Sequence, residues 1–156
     1  MTVPREDISN LEPWYEGIRN QFWAEDQMFS YWVTMLAGAT SYCYGAHGIW
    51  NVGDGKFLAH WGKQTFAQAH ALDTPRLLGL SHEQYLLRSN HGGETFYQTA
   101  GKELITIGRK AGSQVIQFFP DVAKAQHVPA GTMWLPLEGI FTEVAPTKGQ
   151  VVIFSD

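Results

Sequence analysis

Two carboxylates, Glu12 and Glu16, lie four residues apart in a short run that is rich in aromatic side chains. A glutamate beside aromatic rings has the chemistry needed to cleave a glycosidic bond, because ring faces stack on sugars and a carboxylate can act as acid, base or nucleophile. Pro13 favours extended backbone at Glu12 and ends strand pairing there, which predicts Glu12 at the carboxyl end of a first strand. Glu16 is predicted to orient a substrate hydroxyl or to pair with Arg19. The alternative for either glutamate is a solvated surface carboxylate.

A second run, residues 44–50, carries Tyr44, His47 and Trp50 around two glycines that permit unusual backbone angles. These three side chains are predicted to converge on one cleft, in which His47 hydrogen-bonds a sugar hydroxyl or orients a carboxylate. Trp14 and Tyr15 of the first run are the further rings assigned to substrate binding. The alternatives are that His47 is a satisfied structural residue and that Trp50 fills the core.

The spacing of apolar residues predicts the elements that position these side chains. A helix is predicted over residues 22–36 and a buried strand over residues 40–44. A second helical region is predicted to begin where Thr74 can cap and Pro75 suits the first turn. Ser81 is predicted to cap a further helix. The first half of the chain therefore shows the rhythm of βα units.

Beyond residue 92 the pattern changes to the alternation that is typical of strands. Five strands are predicted, over residues 103–107, 114–119, 133–137, 140–144 and 151–154. Together they predict an antiparallel sheet that forms about half of a small sandwich. The chain is accordingly divided into residues 1–92 and a C-terminal antiparallel β domain of residues 93–156.

Composition and motifs argue against several classes of function. The net charge of −4 argues against nucleic-acid binding, because a phosphate-binding surface needs clustered Lys and Arg. The single cysteine, Cys43, rules out an internal disulfide. No stretch approaches the roughly 20 apolar residues of a membrane helix. No export signal is present, and the compartment stays open. The histidines lack metal-ligand spacing and no dinucleotide or phosphate motif occurs, so neither a metal nor a cofactor is expected.

The run from Asn10 to Ile18, followed by the run from Leu36 to Asn51, resembles the C-terminal part of the apiosidase-like glycoside hydrolases. The resemblance is specific over residues 8–52, continues loosely to about residue 89, and beyond that is a strand pattern only. That family is a (β/α)8 barrel followed by a small β-sandwich of the collagen-binding type. The resemblance implies an α/β region followed by a β region: the last two βα units of a (β/α)8-type barrel, plus a small antiparallel β-sandwich or sheet.

The resemblance also implies roles for the residues of the two runs. Glu12 would be the retaining nucleophile at the end of the seventh barrel strand, and residues 44–50 would shape the sugar site after the eighth. In a retaining mechanism a second carboxyl, about 5–5.5 Å away, protonates the leaving oxygen. The family's acid/base residue belongs to an earlier strand, and this chain contains no segment that matches it. The implied substrates are side chains of plant-type polysaccharides.

The length of the chain limits what it does alone. A complete barrel needs about 200 residues or more, and this chain has 156. It is a fragment, a truncated reading frame, a subunit completed by another chain, or a remodelled remnant. The preferred hypothesis is a portion of a retaining glycoside hydrolase that binds carbohydrate and is incomplete as a catalyst by itself. Its expected partner is a completing N-terminal barrel chain or further copies of itself. The alternative is a non-catalytic carbohydrate-binding or oligomeric interaction module.

Overall fold

The computed structural model describes residues 7–49, 56, 58–89 and 93–155. These ranges contain three α-helices and seven β-strands. The helices are α1 (Ala24–Leu36), α2 (Phe66–His70) and α3 (Thr74–Arg88). The strands are β1 (Ser9–Asn10), β2 (Ser41–Tyr42), β3 (Glu94–Ala100), β4 (Glu103–Ala111), β5 (Gln114–Phe119), β6 (Met133–Pro136) and β7 (Val151–Ser155). In this part of the chain, no helix is both long and apolar enough to cross a membrane.

The two aromatic runs of the sequence lie side by side because β1 and β2 pair in parallel. Beyond these short strands the pairing continues, since the Cys43 amide donates to the Asn10 carbonyl oxygen at 2.9 Å. A further parallel bridge joins Glu16 to Ala46. The segments that follow β1 and β2 therefore leave the pair in the same direction, and their residues are neighbours.

Helix α1 confirms the helix predicted over residues 22–36. Glu25 and Asp26 lie in its first turn, where negative charge is favourable against the exposed amides of the helix start. Its apolar side chains cover more than one side of the helix. Six residues are buried: Gln27, Met28, Tyr31, Trp32, Met35 and Leu36. The helix is therefore covered by more than one neighbour, as its two apolar stripes predict.

Helix α3 begins with Thr74, and Pro75 occupies its first turn as the sequence predicts. The residue at the N-cap position is Asp73, and the Thr74 hydroxyl instead donates to a buried side chain on another segment. The predicted helix start at Ser81 is wrong, because Ser81 is a buried residue in the interior of one continuous helix.

The five-stranded sheet has the order β3-β4-β5-β7-β6, and every neighbouring pair is antiparallel. Strand β3 was not predicted, because all but one of its residues are exposed and its sequence lacks the alternation of a half-buried strand. The strand predicted over residues 140–144 is wrong. Within this range Thr142 forms one isolated bridge, with Trp134.

One hydrophobic core joins α1 and α3 to a face of the five-stranded sheet. Its buried members are Met28, Tyr31, Trp32, Met35 and Leu36 of α1, Leu77, Leu78 and Tyr85 of α3, and Ile107, Ile116, Phe118, Leu135, Val152 and Phe154 of the strands. A smaller cluster, which includes Trp134 and Ile153, lies on the opposite face. The sheet thus carries buried apolar side chains on both faces.

The predicted fold class, the last two βα units of a (β/α)8-type barrel with an added antiparallel β-sandwich or sheet, is wrong. The strands β1 and β2 have two residues each and form a separate two-stranded sheet. The helices α1 and α3 bury their apolar faces in the same core as the antiparallel sheet. The division of the chain between residues 92 and 93 stays a prediction.

Candidate functional site

Glu16 is a buried carboxylate with both oxygens hydrogen-bonded. Its side chain is 2% exposed. The Tyr44 hydroxyl donates to Oε2 at 2.6 Å, and the Thr74 hydroxyl donates to Oε1 at 2.9 Å. Burial, and then the hydrogen bond to this carboxylate, raise the pKa of Tyr44 above its ordinary value. Glu16 therefore ties the ends of β1 and β2 to the start of α3. The alternative of a solvated carboxylate does not apply to it.

His47 lies in the segment that follows β2. The side chain is fully buried, at 0% exposure. Its amide donates to the Glu16 carbonyl oxygen at 2.9 Å. Gly62 packs directly on the imidazole, since a Cβ at this glycine would lie 2.7 Å from Cδ2 of the ring. A sugar hydroxyl would reach this ring only if the segment that carries Gly62 moved. A role of His47 in substrate binding stays a prediction.

The rings of the first run lie in two different environments. Tyr15 is half-buried and its ring occupies the space where a Cβ of Gly45 would be. Trp14 is 45% exposed and stacks on Phe22, with ring centroids 4.9 Å apart and an angle of 21° between the planes. Trp50, the remaining ring assigned to substrate binding, lies outside the described residues. Among the described rings assigned to substrate binding, Trp14 is exposed, whereas Tyr15 and Tyr44 are half-buried.

Glu12 differs from Glu16 in its surroundings. It lies two residues beyond β1 and is exposed, as is Cys43 just beyond β2. The two short strands thus present one accessible carboxylate and one buried carboxylate at the same end. Of this pair, Glu12 is the carboxylate that solvent can reach.

A cleft of about 570 Å³ lies between the segments that follow β1 and β2. Gly17, Arg19, Asn20 and Trp23 form one wall. Residues between 59 and 72, including His60, Lys63 and Gln68, form the other wall. None of the described residues assigned to the site by sequence lines this cleft. The sequence gives little sign of it, because Trp23 directly precedes a helix whose aromatic residues are mostly core.

The metal-binding types of side chain in the described ranges are His, Cys, Asp and Glu. No group of three or more His, Cys, Asp and Glu side chains there is arranged to hold an ion. The site residues discussed above are carboxylates, hydroxyls and aromatic rings. These groups fit acid, base or nucleophilic chemistry and the stacking of sugar rings.

No protein-family model matches the chain, and no curated protein matches it. Among solved structures, one described as a glycoside hydrolase superposes with a TM-score of 0.74 at 13% identity, covering 99% of this chain and 43% of its own. A glycoside hydrolase family 5 protein from Bacteroides vulgatus superposes with a TM-score of 0.72 at 14% identity, covering 99% of this chain and 42% of its own. The chain therefore spans less than half the length of these structures. For the part that it spans, it has a glycoside-hydrolase-like fold.

Proposed function

We propose that this chain is part of a retaining glycoside hydrolase, with Glu12 as the nucleophile. The observation that carries the proposal is the superposition of 99% of the chain on part of a glycoside hydrolase with a TM-score of 0.74. The resemblance to the apiosidase-like hydrolases supports the narrower proposal that the substrates are side chains of plant-type polysaccharides. The general acid would come from another segment or chain, since nothing in this sequence matches it.

The chemistry proposed for Glu12 is the first half of a double displacement. One carboxylate oxygen attacks the anomeric carbon, the bond from that carbon to the leaving oxygen breaks, and the leaving group departs with the bonding electron pair. The exposure of Glu12 beyond a short parallel strand supports this role. Glu16 does not compete for it, because its two oxygens already accept hydrogen bonds from Tyr44 and Thr74 in the interior.

A covalent-labelling experiment tests the proposal without the missing acid. A panel of 2,4-dinitrophenyl 2-deoxy-2-fluoroglycosides is incubated with the full chain, because dinitrophenolate leaves without protonation and the fluorine slows turnover of the glycosyl-enzyme. We expect a mass increase of one fluoroglycosyl unit, which peptide mapping places on Glu12. The Glu12→Gln variant should remain unlabelled. An unactivated glycoside needs its leaving group protonated. Without a general acid, this chain should hydrolyse it about 10²–10⁴-fold more slowly than a glycosidase that has one.

The Glu143→Gln variant is the matched control, because Glu143 is an exposed carboxylate far along the chain from both runs. It should be labelled at the rate of the unaltered chain. Labelling of the Glu12→Gln chain, labelling at a different residue, or no labelling by any sugar of the panel would each contradict the proposed nucleophile.

A further inference from the structure

The cleft between the segments after β1 and β2 offers an aromatic face to a ligand. Trp23, which directly precedes α1, is 44% exposed and lines the cleft. Gly17 lies beside it, because a Cβ at this position would be 3.5 Å from Cη2 of the indole. A volume of about 570 Å³ is within the range of sites that bind small molecules. An indole together with several polar side chains in the lining suits a sugar ring, which stacks on aromatic surfaces and carries hydroxyls.

The charge of the cleft is opposite to that of the chain. The chain carries a net charge of −4. The cleft contains Arg19 from one wall and Lys63 from the other, and no acidic side chain is among the described residues that line it. Both cations are exposed, and neither forms an ion pair within the described ranges. Their preferred ligand is therefore an anion, and the planar guanidinium of Arg19 matches a carboxylate in shape.

The wall that carries Arg19 is held in an unusual backbone conformation. Arg19 and Asn20 have φ angles of 54° and 58°, and Phe22 has a φ of 61°. L-residues with side chains rarely adopt this left-handed region, and such residues cluster at ligand sites, where the surrounding structure maintains them. The hydrogen bond from the Gly17 amide to the Gln21 carbonyl oxygen, at 2.9 Å, closes the loop around these residues. The arrangement fixes the direction in which Arg19 and Asn20 leave the backbone.

We propose that this cleft binds a saccharide that carries a carboxylate, that is, a uronic acid unit. The sugar ring stacks on Trp23, the carboxylate pairs with Arg19 and Lys63, and Asn20, His60 and Gln68 hydrogen-bond the hydroxyls. The described site residues of the proposed hydrolase do not line the cleft. The binding site is therefore distinct from Glu12, and its existence does not depend on catalysis.

The test is a titration of the ¹⁵N-labelled chain with trigalacturonic acid and with its methyl ester, followed by ¹H–¹⁵N correlation spectra. The indole N–H signal of Trp23 is assigned with the Trp23→Tyr variant, which also keeps a stacking ring. We expect the acid to shift the signals of Trp23 and Arg19, and the ester to bind about tenfold more weakly. Trp23→Ala should abolish binding, whereas Arg19→Gln and Lys63→Gln should weaken binding of the acid and leave that of the ester unchanged.

Two variants outside the cleft are matched controls. Lys102→Gln removes an exposed cation from the turn between β3 and β4, and Tyr97→Ala removes a ring that is 70% exposed on β3. Both should bind the acid as the unaltered chain does. Glu12→Gln should also bind the acid. The titration therefore tests the cleft independently of the labelling experiment at Glu12.

Four outcomes would each overturn the proposal. Equal affinity for the acid and its ester would show that the cations do not select a carboxylate. Displacement of the sugar by an equal concentration of inorganic phosphate would show a general anion site. Shifts confined to residues outside the cleft, or no shifts with either ligand, would show that the cleft does not bind this class of saccharide.

Discussion

The hydrogen bonds of Glu16 matter for stability because its carboxylate is buried. A carboxylate that leaves water must recover its lost hydration from partners in the protein. Tyr44 and Thr74 supply those partners, and Thr74 is 58 positions away in the chain. The two hydroxyls therefore replace hydrogen bonds that this carboxylate would otherwise make with water.

Removal of one of these hydroxyl donors should destabilise the folded protein. In Tyr44→Phe the Oε2 atom of Glu16 loses the hydroxyl that lies 2.6 Å away. We expect the free energy of unfolding to fall by about 1.5–3 kcal/mol, because the bond is made to a charged group. Urea denaturation followed by circular dichroism measures the change. The matched control is Tyr97→Phe on an exposed ring, which should change stability very little.

The raised pKa of Tyr44 gives the same contact a pH dependence. Above the ordinary tyrosine pKa of about 10, the unfolded chain releases this proton while the folded chain retains it. The unfolded state then binds fewer protons than the native state, so stability falls as pH rises through this range. The fall should be shallower in Tyr44→Phe. An equal slope in both proteins would contradict the assigned cause.

Sequence alone could place the two glutamates in one run but could not distinguish them. The carboxylates of Glu12 and Glu16 have similar neighbours along the chain. Their difference comes from Thr74 on α3 and from Tyr44 after β2, which reach Glu16 only in the folded protein. The same limit applies to Arg19, because its left-handed backbone follows from the closed loop and not from its residue type.

At the scale of elements, Gly48 and Gly79 should respond in opposite ways to an added side chain. Gly48 has a φ of 101°, and a Cβ there would lie 2.8 Å from the Thr65 carbonyl oxygen. Gly79 is inside α3, and a Cβ there would meet nothing within 4 Å. We expect Gly48→Ala to destabilise the protein by about 1–3 kcal/mol, and Gly79→Ala to stabilise it by about 0.5–1 kcal/mol.

Thermal unfolding of the two variants, measured side by side, checks this pair. Each glycine is the control for the other, because the chemical change is the same. A destabilised Gly79→Ala chain would show that this part of α3 is not an exposed regular helix. A Gly48→Ala chain as stable as the original would show that the turn after β2 does not require its left-handed backbone.

Elements with a strong apolar period were predictable and elements without one were not. Helix α1 buries two stripes, and its pattern identifies it almost to the residue. Strand β3 is exposed on both faces and pairs on one edge with β4, so no alternation marks it. Residues 140–144 have the composition of a strand but find one bridge partner, Trp134. Strand composition is therefore a weaker guide than helical period in this chain.

At the scale of the whole molecule, the shared core predicts a single unfolding transition. Trp32 of α1 contacts Tyr85 of α3 and Phe154 of β7, with ring centroids 6.4 Å apart in both pairs. Loss of the sheet would therefore expose the helices. Near- and far-ultraviolet circular dichroism should report coincident thermal transitions. Two separate transitions would instead support the division of the chain between residues 92 and 93.

A core variant sharpens this test. Phe118→Ala removes a buried ring of β5 that lies 5.9 Å from Phe29 of α1. It should lower the stability of helices and sheet together, by about 3–5 kcal/mol. Leu87→Ala on the exposed side of α3 is the control and should cost little. A loss of near-ultraviolet signal with intact helices would contradict the single core.

The overall architecture was the least predictable feature, because an apolar helix face does not specify which sheet will cover it. The rhythm of strand and helix in residues 1–92 is typical of βα units, but Met28 and Trp32 pack with Phe118 and Val152. The strands β1 and β2 proved to be two residues long. A local pattern cannot decide whether these helices pack as βα units or against the antiparallel sheet. That choice depends on contacts between residues more than 80 positions apart in the chain.

Cys43 can carry a reporter group at the end of the β1–β2 pair. It is the single cysteine of the chain, it is exposed, and its amide bonds the carbonyl oxygen of Asn10, two residues before Glu12. A thiol-reactive fluorophore or spin label would therefore attach at one position, on the segment that pairs with the segment carrying Glu12, with no engineered substitution. The natural sequence thus contains its own attachment point for a reporter of events at Glu12.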